Sequence, residues 1–202
     1  MRYPDQQKAT TRRRLLERGG SHAKKHGFAG SGMDALAAAA GVTTGSLYKH
    51  FKGKSEFFAE LLVAELERSI EHFRAVPAGD AKAGTKVLAA YLSTEHAAHP
   101  ERGCPLPALT AEVARADESV RSEFQARMLE LHATIAERMT GSGDAAWGLI
   151  AQNVGAILLA RAMLDPEAQK ALLAATRRDA TKRLKLPGAE GGARKRLKLA
   201  RR

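Results

Sequence analysis

Apolar side chains recur every three or four residues over most of the 202-residue chain, the spacing of helices that bury one face. Phe57, Phe58, Leu61, Leu62 and Leu66 form one such face on a helix from Ser55 to about Arg74. Val87, Leu88, Tyr91 and Leu92 form another, on a helix that ends before Pro100. Trp147, Ile150, Val154, Ile157 and Leu158 stripe a helix from Asp144 to Leu164, with Gly148 and Gly155 as its small positions. Strand-type runs of Val, Ile, Tyr and Phe are scarce. The pattern predicts an all-α fold of about nine helices.

Caps and breakers divide these helices. The first is expected from near Gln6 to His26, with Lys24, Lys25 and His26 in its last turn, Gly27 in the left-handed position and Phe28 following. Gly19-Gly20 inside it costs about 1 kcal/mol per glycine relative to alanine and is a place where the helix could bend. Ser31-Gly32-Met33-Asp34 has the form of a capping box, with Asp34 in place of the usual Glu, and opens a short helix Met33–Ala40. Thr43 is placed to cap Thr44–Phe51 and Ser55 to cap the long helix after it, which Val76–Asp80 closes. After the proline-rich loop 100–107, a short helix covers Leu106–Arg115, and Asp117 starts one that continues to about Thr140. Gly141-Ser142-Gly143 is a hinge. Asp165-Pro166 restarts the chain as a last helix to about Leu186.

Only Gly41-Val42-Thr43 separates the second helix from the third, a tight glycine-bearing turn that is the sequence form of a helix-turn-helix. Leu47 and Phe51, four apart, can pack inward with Val42, which leaves Thr44, Ser46, Tyr48 and Lys49 facing outward. Hydroxyls on Thr43, Thr44 and Ser46 beside a helix N-terminus suit phosphate, and Gly45 allows close backbone approach. Tyr48, Lys49 and Lys54 place a hydroxyl and two charges where phosphates flank the groove.

Charge sharpens this picture. The net charge is +11, but residues 1–54 carry 11 Lys/Arg against 3 Asp/Glu, residues 55–176 carry 11 against 17, and residues 177–202 carry 11 against 2. A basic head on an acidic body suits a protein whose head alone meets a polyanion. With one cysteine, Cys104, there is no disulfide framework and no cysteine-rich metal site. The amino terminus lacks an apolar signal core, and the longest apolar run, Asn153–Leu164, is short and broken by Arg161. These features lead to an expectation of a cytoplasmic protein without a membrane span.

The stretch Gly27-Phe28, Met33-Asp34-Ala35-Leu36-Ala37, Gly41 to Phe51 and Lys54 resembles the TetR/AcrR family of bacterial transcriptional regulators. The resemblance covers roughly residues 12–60. It implies an all-helical homodimer with a three-helix DNA-binding head, a ligand pocket, and a dimer interface made by the last two helices. It also implies that Thr43, Thr44, Gly45, Ser46, Tyr48, Lys49, His50 and Lys54 contact DNA. The sequence departs from the family pattern at Gly20-Ser21-His22-Ala23, where a bulky Leu-Phe pair is usual, and at Gly53 and Ser55 around Lys54.

Beyond residue 60, Tyr91-Leu92-Ser93, His99-Pro100, Gly103-Cys104-Pro105-Leu106 and Glu112 look like a subset of the family with a Gly-Cys-Pro element. Two roles are open to Cys104. Near a helix N-terminus, helped by Arg102, it could ionise and sense electrophiles; or it is a small, inert, packed side chain. His96 and His99, with Glu95, fit no common metal-ligand spacing and lack a third partner, and His22 and His26, four apart, read as solvated residues on one helix face. No phosphate loop or nucleophile elbow occurs, and neither a cofactor nor an enzymatic activity is expected.

The expected organisation is a DNA-binding domain at 1–54, a ligand-binding and dimerisation domain at 55–186, and a basic tail at 187–202. The partners expected are double-stranded operator DNA, a small-molecule inducer and a second copy of the chain. Two rivals are a helical ligand-binding or enzymatic protein with an incidental basic head, and a nonspecific DNA-packaging protein, to which the charged tail lends some force.

Overall fold

A computed structural model describes residues 3–184, with side chains from Gln6 onward. The basic tail at 187–202 lies outside the described residues. Among them there are ten α-helices and no strand: α1 (Tyr3–His26), α2 (Met33–Ala39), α3 (Thr44–Tyr48), α4 (Lys54–Arg74), α5 (Ala81–Tyr91), α6 (Thr94–Ala98), α7 (Leu106–Val113), α8 (Glu118–Ile135), α9 (Gly143–Ala162) and α10 (Pro166–Thr181). The all-α expectation holds. The helix expected to carry Val87 to Leu92 and to end before Pro100 ends at Tyr91, because Leu92 with a ψ of 54° leaves the helical region, and the Ser93 hydroxyl caps α6 by accepting from His96 N–H at 3.1 Å.

Several caps work as the sequence suggests. Thr43 accepts from Ser46 N–H at 3.2 Å, Asp165 from Glu167 N–H at 2.9 Å, and Gly27 turns left-handed after α1 with φ 82°. Three do not. Ser31 is buried and donates to the Gly27 carbonyl at 2.5 Å, leaving Gly32 as the uncapped start of α2. Ser55 lies inside α4 and donates to Asp117 at 2.7 Å, so neither residue caps its own helix. For Ser55 and Asp117 a tertiary partner outcompetes the local backbone, while Ser31 turns to a carbonyl four residues back in the chain.

Two apolar cores meet along α4. Leu15, Phe28, Leu36, Leu47, Phe51, Phe57, Phe58, Leu61 and Leu62 fill the first, which also takes in Leu109, Val113 and Val120 from α7 and α8. Leu66, Ile70, Leu88, Leu131, Ile135, Leu149, Ile157, Leu173 and Leu184 fill the second. The early turns of α4 therefore belong to the head and its later turns to the body, and packing is continuous across residue 54.

By length and composition α9 would be able to cross a membrane, the one such helix among the described residues. It packs against α10, α8, α7 and α6. The charge that interrupts it, Arg161, donates to the backbone carbonyls of Ala97 and His96 at 3.1 and 3.2 Å.

Candidate nucleic-acid interface and ligand cavity

α3 stands on the head with Leu47 and Phe51 fully buried beneath it. Tyr48 is 52% exposed, and Thr43, Gly45 and Lys49 are also exposed, while Thr44, Ser46, His50 and Lys54 are half-buried. A face of hydroxyls, one cation and a bare backbone is thus held out by an apolar underside. A methyl group at Gly45 would meet no atom within 4 Å, so this position is open to an incoming surface. Thr44, whose hydroxyl donates to Asp34 of α2 at 2.5 Å, ties α3 to α2 at an exposed position.

Not every cation in the expected set points freely outward. The Lys54 ammonium donates to the Ala29 carbonyl at 2.9 Å and lies 5.3 Å from the Phe28 ring centroid, so it also ties the loop after α1 to the start of α4. His50 is held neutral over a wider range than usual. Burial lowers its pKa first, and the charges of Lys8 and Arg12 on α1 lower it further. Its Nδ1 is buried without a partner. Of the two basic residues, Arg12 pairs with Glu60 of α4 and lies 4.6 Å from the Phe51 ring centroid.

Inside the body is a cavity of about 580 Å³, within the range of small-molecule sites. Its apolar wall includes Leu88, Leu106, Leu131, Ile135, Leu149, Ile150 and Val154. Its polar end lies at the seam between α1 and α4. There the Lys24 ammonium bonds Glu65 at 2.8 Å and the Gly103 carbonyl at 2.9 Å, and Arg68 pairs with the same glutamate. Lys24 and Glu65 side chains are only 4% and 3% exposed.

Gly19 and Gly20 create this seam. A side chain on Gly19 would strike the Phe57 ring at 2.7 Å, and one on Gly20 would collide with the Glu65 carboxylate. α1 runs unbroken from Tyr3 to His26, and the glycines let α4 lie against it. The departure from the family's bulky residues here is matched by an acid in the space. Sequence reasoning missed Lys24, Glu65 and Arg68. The signal was present as a glutamate inside the buried stripe Phe58, Leu61, Leu62, Leu66.

Cys104 lies in the cavity wall with Tyr91 and His96. His96 Nδ1 faces the Tyr91 carbonyl at 2.7 Å and its Nε2 accepts from Cys104 N–H at 3.1 Å, a pattern that requires the neutral ring protonated on Nδ1. Burial lowers the His96 pKa, and Arg161 and Lys24 add to the effect. Burial also pushes the Cys104 thiol above its ordinary value, outweighing the helix N–H of Leu106, the Tyr91 hydroxyl and Lys24. Of the two roles open to Cys104 this direction favours the packed thiol, and Arg102 is turned outward to Glu95 and Glu101. Glu112 is the other residue whose role sequence alone did not indicate. Its carboxylate accepts from the N–H groups of Phe28 and Ala29 at 2.9 and 2.5 Å, joining α7 to the head.

A helix-turn-helix head joined to a helical body that encloses a cavity defines a DNA-binding regulator. Residues 15–61 match the family model of bacterial regulatory proteins, tetR family. The chain carries a tetR-family DNA-binding domain in a TetR/AcrR fold. The structure is similar to that of NemR from E. coli in its reduced form, with a TM-score of 0.69 at 22% identity over 89% of this chain and 99% of the other. It is similar also to a TetR-family regulator from Agrobacterium tumefaciens (TM-score 0.65, 19% identity, 88% and 99% covered). A third similar structure is FadR from Bacillus subtilis in complex with stearoyl-CoA (TM-score 0.61, 14% identity, 84% and 95% covered). No curated protein matches the sequence.

Proposed function

We propose that the chain is a ligand-released transcriptional repressor that binds a near-palindromic operator as a homodimer. The observation that carries this is the outward face of α3, polar and open above a fully buried Leu47 and Phe51. Thr44, Gly45, Ser46 and Lys49 enter the major groove, and Thr43, Tyr48, His50 and Lys54 hold the flanking phosphates. Residues 1–54 act as the binding head and 55–186 as the sensing and dimerising body. Exposed apolar residues on α9 and after it (Trp147, Leu158, Leu159 and Leu164, the last 98% exposed) favour pairing through α9 and α10, with Ala151 and Gly155 allowing close approach. Two heads so joined read half-sites spaced by the helical repeat. Working on chromosomal DNA places the protein in the cytoplasm.

The inducer occupies the body cavity and shifts the spacing of the heads by its difference in affinity for the two arrangements. Cys104 is one of the groups it meets. Titration against DNA from upstream of the protein's own coding sequence and against a scrambled control, at two salt concentrations, tests the proposal. Preference for the upstream DNA supports it. Equal, steeply salt-dependent binding to both would instead indicate a packaging protein, and salt-insensitive weak binding an incidental head. Electrophile treatment followed by mass spectrometry tests Cys104, and an unmodified thiol in the folded protein ends a sensing role for it.

A further inference from the structure

Thr43 and Thr44 stand side by side at the start of α3, yet the fold uses their hydroxyls in opposite senses. The Thr43 oxygen accepts from the Ser46 N–H at 3.2 Å, which occupies a lone pair and leaves the hydroxyl proton free. The Thr44 hydroxyl points its proton at Asp34 of α2, 2.5 Å away. A carboxylate has no proton to give, so the direction of this bond is fixed: Thr44 donates, and its oxygen keeps only lone pairs. The other oxygen of the exposed Asp34 carboxylate is an acceptor as well. Thr43 is therefore able to donate to a phosphate oxygen, and Thr44 is not. The corner formed by Thr44 and Asp34 offers acceptors alone, with a negative charge that keeps phosphate away.

Base edges in the major groove sort by the same criterion. Guanine presents two acceptors there, N7 and O6, and thymine presents O4 beside its methyl group. Adenine N6 and cytosine N4 are the donors. On the reading that α3 enters the groove, we propose that Thr44 accepts a hydrogen bond from the amino group of an adenine or cytosine at one position of each half-site. Asp34 is the positioning residue that fixes this sense by holding the hydroxyl proton. Inverting that base pair moves the amino group to the other strand and sets guanine or thymine acceptors against an acceptor.

Selection from a randomised duplex library with the full chain gives the half-site. Thr44→Val, which removes the hydroxyl and keeps the shape, marks the base pair that Thr44 meets. At that pair the amino group is then deleted, with purine in place of adenine or pyrimidin-2-one in place of cytosine, and the purine N7 is separately replaced by carbon. Deleting the amino group is expected to weaken wild-type binding by about fivefold, one hydrogen bond, and to change the Thr44→Val variant by less than about twofold. Loss of N7 should leave wild-type affinity unchanged. Asp34→Ala returns the proton to Thr44, so inversion of that one base pair should become tolerated while other positions keep their preferences. Thr44→Ser retains the bond to Asp34 and should behave as wild type. Sensitivity to N7 in place of the amino group, an amino deletion felt equally by wild type and Thr44→Val, or an Asp34→Ala variant weakened alike at every position would overturn the assignment. A library from which the wild type enriches no sequence ends the regulator reading and this one with it. An enriched half-site whose profile Thr44→Val leaves untouched ends only the role of Thr44.

Discussion

Individual residues show the sharpest difference between chemical type and placement. Glu65 reads as a surface acid until α1 supplies Lys24, and in the fold the two form a buried pair. Glu65→Gln leaves Lys24 buried beside a neutral amide. A loss of about 3–5 kcal/mol in folding stability is expected, read from denaturant unfolding. His96 gives a second residue-scale prediction. Its folded pKa lies below the ordinary 6.5, so the unfolded chain binds more protons in that range. Stability then rises with pH there, is fully present above about 6.5, and falls as the solution is acidified. The slope of Tm between pH 5 and 7 should be smaller in His96→Gln, with His22 and His50, also lowered, supplying the remainder.

Among the elements, α7 is short but connects everything that matters. The loop before it offers the Gly103 carbonyl to Lys24, and its last turns offer Glu112 to two amides of the loop after α1. Glu112→Ala should cost about 1–2 kcal/mol, since two N–H groups lose a charged acceptor. Hydrogen exchange at the Phe28 and Ala29 amides should quicken, while exchange in α9 stays unchanged. Helix types and approximate limits were legible from periodicity, because each helix must bury a stripe whatever it packs against. The capping box at Ser31–Asp34 and the cap at Ser55 were not. Asp34 accepts from Thr44 and Ser55 donates to Asp117, partners brought in by the fold, while Ser31 turns back to the Gly27 carbonyl four residues earlier. The break after Tyr91 was equally hidden, since the apolar stripe passes through Leu92 without interruption.

Across the whole molecule, the uncovered apolar side chains of α9 are the surface on which the proposed dimer rests. Leu158→Glu places a charge on that face without entering the core, as Leu158 is 53% exposed. The variant is expected to sediment as a monomer with an unchanged far-ultraviolet spectrum. Its operator affinity should fall by about two orders of magnitude, because each head must then bind alone. A variant that remains dimeric would place the interface elsewhere.

The sequence by itself determined the helical class, the helix-turn-helix and the residue types on its outward face. Those depend on spacing along a single helix and on one tight turn, which are local. It also marked the basic head, because charge is counted without knowing the fold. Tertiary structure alone decided that Gly19 and Gly20 make room for α4, that Lys24 and Glu65 meet, and that the pair closes a cavity. It raised the Cys104 thiol where a helix N-terminus by itself lowers one, since desolvation depends on everything that surrounds the sulfur. Contacts between residues 41 and 79 positions apart arise from packing, and no periodicity records them.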